Sequence, residues 1–430
     1  MNFISQITNK SEFNKNVYTL FTGQIIVQAI SFFVGFIITR LYAPEQIGVY
    51  SLFIGITTIL TIISTGRYDA AIVVEEDDGK AKSLLLLSLL ISFWFNFLLF
   101  VFLYFFSNPF MNYFNINSLG KWILIIPITV FIGSIIKAAQ NYYNRYSEYG
   151  KMKNSDIIKS AGNSVFSVAF GLLQFLSGGL ILANFIGNLF SALFLVLKFS
   201  NFFWKDIHLF YSIQQLKEVA VQYKNYLISY SLSGLLNALV TNGTPIFIVY
   251  FFSEKIAGYY FMAEKVISIP IGLIVASISR VFYQKASELY REDKTKFLAL
   301  IINIQKKMVL FLVPFLIILS VFAPYFFKLF GEGWGYAGEM VKYFAILIFL
   351  SNVVAPVGYI SNVINRLDIL LYFNISIAVS RVITFYIGSL YLSFEYALLF
   401  SSMVVSICYL VFNIVLKKKI KSEIKSERVF

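Results

Sequence analysis

Long, nearly uncharged apolar runs alternate with short polar segments along the sequence, and this pattern limits the fold more than any other feature. A helix that crosses a bilayer needs about 20 mostly apolar residues. Twelve runs of about this length occur, at 17–39, 47–65, 83–106, 121–143, 155–174, 178–198, 226–250, 257–279, 303–327, 338–362, 369–391 and 396–416. A transmembrane β-barrel would instead show segments of about 10 residues with alternating polarity. We therefore expect an all-α integral membrane protein with about 12 transmembrane helices.

Composition supports a membrane protein and argues against several soluble classes. The 430 residues are 58% hydrophobic and 13% charged, whereas soluble domains carry about 25% charged residues. Soluble enzymes, disordered regulators and nucleic-acid binders are therefore not expected. One cysteine, Cys408, allows no internal disulfide, and one histidine, His208, offers no His/Cys metal site. The sequence has no P-loop, HExxH or GxSxG motif, so we expect neither an enzyme nor a bound metal.

The distribution of Lys and Arg predicts the orientation in the membrane, because cytoplasmic loops carry an excess of both. With the N-terminus inside, 27 of the 35 basic residues fall on the cytoplasmic side and three fall within spans. The remaining five lie outside: Arg40, Lys121, Lys255, Lys328 and Lys342. This bias predicts that both termini are cytoplasmic. It also attributes the net charge of +13 to topology and anionic lipid headgroups rather than to a nucleic acid.

A weak internal repeat relates the two halves of the chain. Glu45–Tyr50 before the second span resembles Glu254–Tyr260 before the eighth, and Arg67 after the second span corresponds to Arg280 after the eighth. We therefore predict two six-helix bundles related by a pseudo-two-fold axis along the membrane normal. The predicted segments are an N-terminal bundle at 1–200, a cytoplasmic linker at 201–224, a C-terminal bundle at 225–416 and a basic tail at 417–430.

Polar residues recur at helical spacing inside several spans and are candidates for lining a transport cavity. Gln24 and Gln28 are one turn apart in the first span, Asn141 lies in the fourth and Asn237 in the seventh. Residues three or four apart share one helix face. The alternative is that these side chains join neighbouring helices, which polar residues often do in membranes.

Ionisable residues within or beside the spans form the second candidate set, because burying a charge in a bilayer is costly unless it faces protein or water. The cations are Arg67, Lys137, Lys265, Arg280 and Arg381, and the acids are Asp69 and Glu264. Lys265 can instead extend towards the headgroups. Arg67 and Asp69 can form a gate or simply cap a helix at the membrane edge. Arg145 and Arg366 are interpreted as topology markers.

Two stretches resemble a known family. The first runs from Thr22 through Arg40 to Ser51 and includes Ala43-Pro44-Glu45-Gln46. The second is Gly66-Arg67-Tyr68-Asp69-Ala70-Ala71-Ile72-Val73, followed by the acidic residues Glu75 to Asp78. Both resemble the polysaccharide-biosynthesis branch of the MATE-like flippase superfamily, the Wzx-type translocases of O-antigen and capsule repeat units. Of the candidate site residues, the motif itself matches only Arg67 and Asp69.

The resemblance implies a function and partners. Such proteins move an undecaprenyl-diphosphate-linked oligosaccharide from the inner to the outer leaflet of the bacterial cytoplasmic membrane by alternating access. The implied partners are this lipid-linked substrate, membrane lipids, and polysaccharide polymerase and export machinery. A coupling ion, H⁺ or Na⁺, takes the place of a cofactor. Glu264 is the candidate proton carrier, because desolvation can bring a carboxyl pKa towards neutrality.

Two other functions remain open at this point. A cation-coupled exporter of drugs or small metabolites would share the fold, and it would favour acidic cavity residues such as Glu264. A membrane-embedded glycan polymerase would have similar length and hydrophobicity. It would need a large outside loop with catalytic Arg or His, whereas the longest predicted outside loop has only about 15 residues, from Ser107 to Lys121.

Overall fold

The computed structural model describes residues 3–199, 213–358, 360–364 and 366–427. These residues form helices joined by short turns, and no strand occurs within these ranges. The chain divides into two compact units, Met1–Ala238 and Leu239–Phe430.

The first unit contains eight complete helices and the beginning of a ninth. They are α1 (Phe3–Leu41), α2 (Pro44–Ser64), α3 (Tyr68–Ala71), α4 (Asp78–Tyr113), α5 (Ile126–Arg145), α6 (Tyr149–Leu172), α7 (Leu176–Phe199), α8 (Ile213–Gln222) and the first two turns of α9 (Ser231–Asn242). A 3₁₀ segment, Asn117–Ile125, precedes α5, and a π-helical turn, Tyr226–Tyr230, precedes α9.

The second unit begins within α9 and contains the remaining helices. They are α10 (Thr244–Phe251), α11 (Glu254–Glu292), α12 (Lys294–Lys328), α13 (Gly335–Gly358), α14 (Ile360–Val363), α15 (Leu367–Tyr391) and α16 (Phe394–Glu427). A short 3₁₀ turn, Glu332–Trp334, precedes α13.

Each predicted apolar run falls on helical structure, although not every helix is apolar throughout. Among the described residues, nine helices are long and apolar enough to cross a membrane. The bent pair α9 and α10, which meets at 62°, makes a tenth candidate span. The fifth and eighth runs coincide with α6 and α11, which carry more charge. The all-helical fold is thus confirmed, while the count of twelve crossings, the pseudo-two-fold and the cytoplasmic termini stay predictions.

The observed unit boundary differs in position from the predicted linker. It lies between Ala238 and Leu239, inside the predicted seventh span. Of the predicted linker 201–224, residues 201–212 lie outside the described residues, and α8 forms within the rest. The described part of the basic tail, 417–427, continues α16 as helix. The predicted domain limits themselves remain untested.

Local sequence explains several helix starts. Pro44 occupies the first turn of α2, where its missing N–H costs no hydrogen bond. The backbone N–H of Ala43 donates to Gln46 Oε1 at 3.1 Å, so the Ala-Pro-Glu-Gln motif is a helix start. Asp77 accepts from the Lys80 N–H at 2.7 Å and caps α4. Asp293 caps α12 in the same way.

Candidate functional site

A left-handed turn follows α2 and positions the first candidate cation. Gly66 and Arg67 have φ values of 58° and 60°. This region is open to glycine but uncommon for other residues. The Arg67 N–H donates to Thr65 Oγ1 at 3.3 Å, which helps to hold the turn. Arg67 therefore lies at a sharp break between α2 and α3 rather than on a continuous helix.

Asp69 lies two residues later and is completely buried. Its Oδ1 accepts a hydrogen bond from Thr65 Oγ1 at 2.6 Å, and its Oδ2 accepts one from Asn141 Nδ2 at 3.0 Å. Lys137 Nζ approaches Oδ2 at 3.9 Å, and 28% of its side chain is exposed. A buried carboxylate requires such partners to offset its desolvation. The structure thus brings Asp69, Lys137 and Asn141 together, as a group that joins α3 to α5.

Arg67 does not pair with Asp69, so the suggested Arg67–Asp69 helix cap is wrong for the described structure. The left-handed turn directs the two side chains to different neighbours. The Arg67 side chain lies against Gly234 of α9, where an added Cβ would be 3.5 Å from Nε. Arg67 Nε is buried and makes no hydrogen bond within the described residues. We call Arg67, Asp69, Lys137 and Asn141 the Arg67 cluster.

Helix α8 and the residue that follows it form hydrogen bonds to the segment that contains Arg67 and Asp69. The Tyr68 hydroxyl donates to the Ala220 carbonyl at 3.1 Å, and the Tyr223 hydroxyl donates to Glu75 Oε2 at 2.9 Å. Burial, and then the hydrogen bond to Glu75, raises the pKa of Tyr223 to about 12. The phenol therefore stays protonated at neutral pH and remains a donor. Val219 of α8 is fully buried in the same hydrophobic core as Tyr68.

A second cluster surrounds the break between α9 and α10. Pro245 has no N–H and cannot continue the helical hydrogen bonding through this point. Arg381 of α15, only 8% exposed, donates to the Val240 carbonyl and to Thr244 Oγ1, the latter at 2.6 Å. A guanidinium from another helix thus supplies donors to both sides of the break.

Glu264 of α11 belongs to this second cluster. Its carboxyl group interacts electrostatically with Arg381 and is adjacent to the Tyr260 hydroxyl. Tyr260, one turn earlier on α11, also interacts with the Thr244 side chain. We call Arg381, Glu264, Tyr260 and Thr244 the Arg381 cluster. It connects α10, α11 and α15 within the second unit.

The remaining predicted site residues lie elsewhere. Lys265 is partly exposed, and its Nζ lies 5.9 Å from the centre of the Phe261 ring. Gln24 and Gln28 lie on α1, and no described contact joins them to the Arg67 cluster. Asn237 lies on α9 within the first unit. Arg280 lies on α11, but its side chain is outside the described residues. The binding roles of all these residues stay predictions.

Sequence reasoning missed a charged group on α6. Asp156 Oδ1 accepts a hydrogen bond from Gln140 Nε2 of α5 at 2.8 Å, and Lys159 interacts electrostatically with Asp156. Lys159 is one of the 27 basic residues counted on the cytoplasmic side, although it lies within the predicted fifth span. The spacing of Asp156 and Lys159 could have indicated this group, because residues three apart share a helix face and both residues lie inside the predicted fifth span. Lys137, one turn before Gln140, places this group beside the Arg67 cluster along α5.

A model of the family described as polysaccharide biosynthesis protein matches residues 37–338. The chain belongs to this family. The match covers well over half of the sequence and includes the Arg67 cluster and Glu264, while Arg381 lies beyond it. It confirms the resemblance inferred from the motifs. No curated protein matches the sequence.

Several membrane transporters of known structure share this fold. An inward-facing multidrug resistance MATE family transporter of the MOP superfamily matches at TM-score 0.73 and 15% identity, covering 94% of this chain and 96% of that chain. The lipid II flippase MurJ, in an inward closed conformation, matches at 0.69 and 13%, covering 94% and 87%. A MOP superfamily transporter from Pyrococcus furiosus matches at 0.56 and 14%, covering 95% and 96%. At these identities, the likeness establishes the fold of this chain.

Proposed function

We propose that this protein is a flippase that moves undecaprenyl-diphosphate-linked oligosaccharides from the inner to the outer leaflet of the bacterial cytoplasmic membrane. The observation that carries the proposal is the Arg67 cluster, in which two cations accompany one buried carboxylate. Membership in the family and the fold shared with MurJ, named as a lipid II flippase, agree with it.

The charge balance of the Arg67 cluster favours an anionic ligand. Both carboxylate oxygens of Asp69 accept a hydrogen bond, one from Thr65 and one from Asn141. Lys137 adds a more distant ion pair, with 3.9 Å between Nζ and Oδ2. Arg67 Nε is without a hydrogen bond in the described structure. Arginine makes charge-assisted, often paired, hydrogen bonds to phosphate oxygens. Arg67 and the partly exposed Lys137 are therefore suited to receive a diphosphate group.

A polar cavity makes lipid-linked sugar transfer energetically possible. The sugar and diphosphate cannot enter hydrocarbon without losing their hydration, which costs several kcal/mol for each unsatisfied polar group. The amide and cationic side chains of the first unit can replace that water, while the prenyl chain stays in the bilayer. Polymerase and export machinery would act on the delivered repeat unit and are the expected protein partners.

The Arg381 cluster provides a route for ion coupling. A proton on Glu264 would remove the negative charge that faces Arg381, and this would change how Arg381 binds the Val240 carbonyl and Thr244. The helix break at α9 and α10 would then respond to protonation. Both H⁺ and Na⁺ remain candidates for the coupling ion, and no cofactor is required by this mechanism.

A second candidate function is cation-coupled export of drugs or small metabolites. The fold shared with a multidrug MATE transporter and the presence of Glu264 favour this alternative. The two cations of the Arg67 cluster argue against cationic drugs as substrates, because like charges repel. Catalysis by a glycan polymerase has no support from the arrangement of either cluster, so we propose a transporter rather than an enzyme.

The leaflet position of the lipid-linked oligosaccharide tests the proposal. Deletion of the gene should trap undecaprenyl-linked repeat units in the inner leaflet and remove surface polysaccharide, and the wild-type gene should restore both. Unchanged surface polysaccharide would support the exporter. Repeat units that reach the outer leaflet but remain unpolymerised would support a polymerase.

The Arg67→Gln variant, examined in the same cells, tests whether Arg67 is part of the transport site. We expect it to insert normally and to lose oligosaccharide transfer, while an Arg366→Gln control should transfer normally. Arg366 is a suitable control because it pairs with exposed Asp368 at 2.6 Å and belongs to neither cluster.

A further inference from the structure

A π-helical turn lies next to Arg67 in the first unit. Tyr226–Tyr230 is the one π-helical turn among the described residues, and it leads directly into α9. The Ser231 hydroxyl donates to the Tyr226 carbonyl at 3.2 Å, which helps to satisfy the backbone of this turn. Single π turns beside α-helices are rare and often occur at functional sites. The side chains that this turn presents are therefore candidates for binding a ligand.

The turn stacks two tyrosine rings. The ring centroids of Tyr226 and Tyr230 are 4.5 Å apart, and the ring planes differ by only 10°. Tyr223 approaches Tyr226 edge-on at 5.7 Å, and its own hydroxyl is held by Glu75. Tyr230, at the end of this row of rings, is 40% exposed. The row therefore offers a flat aromatic surface at Tyr230 that two further rings support.

Arg67 lies beside this row of rings. Its Nε is 3.5 Å from the position of a Cβ built on Gly234, four residues after Tyr230. Its charge also interacts with the hydroxyl of Tyr226, four residues before Tyr230. Residues four apart lie close together on a helix face, so Tyr230 is located between the two points that Arg67 approaches. A cation and an exposed aromatic ring are thus adjacent.

The left-handed turn and the π turn are packed against each other. A Cβ built on Gly66 would lie only 2.9 Å from Leu227 Cδ1, in the second residue of the π turn. A Cβ built on Gly234 would lie 3.0 Å from Ile62 Cγ2 of α2. Contacts on both sides of Arg67 therefore fix its position relative to the stacked rings. A ligand group bound by the guanidinium has its neighbouring group at the exposed ring.

The charge of Arg67 selects among the ligands that an aromatic ring can bind. A cation is attracted by an aromatic face, but here the guanidinium would repel it. A pyranose ring is neutral, and the C–H groups on its flat face carry a small positive charge that suits the negative face of an aromatic ring. Its hydroxyl groups can also bond to the phenol oxygens. In a lipid-linked oligosaccharide the first sugar is bonded directly to the diphosphate, so the two groups enter the site together.

We propose that Tyr230, supported by Tyr226, is the binding subsite for the first sugar of the lipid-linked oligosaccharide. The pyranose ring stacks on Tyr230 while the diphosphate binds Arg67. This assignment rests on the proposed flippase function and names a part of the substrate that Arg67 alone does not recognise. Stacking accepts different sugars, because any pyranose with C–H groups on one face can make the contact. The subsite therefore distinguishes glycosylated lipid from bare lipid diphosphate.

Equilibrium binding of lipids to the purified full-length protein tests the subsite. The probes are bare undecaprenyl diphosphate and the same lipid carrying one N-acetylglucosamine or one galactose. The wild type should bind at least one glycosylated probe about three- to tenfold more tightly than the bare lipid, as expected for one added aromatic contact. Tyr230→Ala should remove this preference and leave the affinity for the bare lipid unchanged. Tyr230→Phe should keep the preference, because the ring remains.

Two further variants separate a lost contact from a damaged fold. Tyr230→Leu keeps an apolar side chain against Tyr226 but has no flat ring, so it should lose the preference as Tyr230→Ala does. Tyr104→Ala is the matched control, because Tyr104 is exposed and also stacks on a ring four residues away, that of Phe100 on α4. This control should bind both kinds of lipid as the wild type does.

The outcomes distinguish the sugar subsite from the proposed function. Equal affinity of the wild type for bare and glycosylated lipids, or an unchanged preference in both Tyr230→Ala and Tyr230→Leu, would overturn the subsite and leave diphosphate binding at Arg67 intact. An equal loss of affinity for all probes in Tyr230→Leu would also overturn it, since Tyr230 would then support the fold or contact the prenyl chain. Binding of no probe by the wild type would refute the proposed function itself. Arg67→Gln should weaken all probes alike, because each carries the diphosphate.

Discussion

Arg381 donates a hydrogen bond to the backbone carbonyl of Val240, 141 residues earlier in the chain. The same Nη1 donates to Thr244 Oγ1 on the other side of the helix break at Gly243. One buried side chain thus supports two helices that do not continue into each other. This gives Arg381 a positioning role in addition to the substrate role suggested by its charge.

Arg381→Lys tests the positioning role. Lysine keeps the charge, but its side chain is shorter and its ammonium group does not reach the position of Nη1, so at least one hydrogen bond to the break should be lost. We expect a loss of about 1.5–3 kcal/mol in stability, measured as a lower melting temperature in detergent. Transport should fall in the same variant. The exposed Arg366→Lys change should alter neither, and equal melting of both variants would contradict the positioning role.

Asp69→Asn tests how much the buried carboxylate of Asp69 contributes to the Arg67 cluster. An amide has one acceptor oxygen instead of two, so Thr65 and Asn141 cannot both retain their present acceptors, and Lys137 loses its counter-charge. The expected loss of stability is about 1–3 kcal/mol. Thermal melting and oligosaccharide transfer should both decrease. An Asp368→Asn control, at an exposed ion pair, should stay within about 0.5 kcal/mol of the wild type.

Gly66→Ala tests the left-handed turn. Alanine at φ 58° should cost about 1–2 kcal/mol. Its Cβ would also lie 2.9 Å from Leu227 Cδ1, which can move because it is a side-chain end. We expect reduced transport, because the strain displaces Arg67. Gly150→Ala is the matched control, since an added Cβ there meets no atom within 4 Å. Comparable transport in the two variants would show that the turn is dispensable.

Glu264→Gln tests ion coupling. The substitution keeps the size of the side chain and removes its titratable proton. In proteoliposomes with an imposed proton gradient, transport by the wild type should respond to the gradient, and transport by Glu264→Gln should not. Glu332→Gln, at an exposed turn, should respond as the wild type does. A retained response in Glu264→Gln would assign coupling to another group.

Asp293 gives a pH-dependent contribution to stability. Backbone hydrogen bonds from Lys296 and Thr295 hold the pKa of Asp293 below its ordinary value. A lowered folded-state pKa means that the cap stabilises the protein above the unfolded pKa, near 3.9, and that this contribution is lost as the pH falls through the folded value. Asp293→Ala should therefore lower the melting temperature at pH 7 and have little effect once the carboxyl is protonated in both states.

The positions of the helices were predictable, because apolar runs of about 20 residues have few alternatives. The break at Gly243 was also signalled by Asn242-Gly243-Thr244-Pro245, although the sequence reading treated 226–250 as one span. Pairings between distant helices were not predictable. No periodicity relates Arg381 to Val240, or Asp69 to Asn141. The spacing of Arg67 and Asp69 suggested a pair, but the two left-handed residues separate them.

Charge also concealed parts of the fold. Asp156 and Lys159 lie within the predicted fifth span, but nothing in the sequence indicates that Gln140 of α5 meets Asp156. By contrast, the asymmetric distribution of Lys and Arg predicts an orientation in the membrane from the sequence alone.

Arg381 lies on α15, whereas its two acceptors, the Val240 carbonyl and Thr244 Oγ1, lie 141 and 137 residues earlier beside the helix break. These hydrogen bonds can therefore form only after α15 has been synthesised. The break between α9 and α10 consequently reaches its final structure late in the assembly of the second unit.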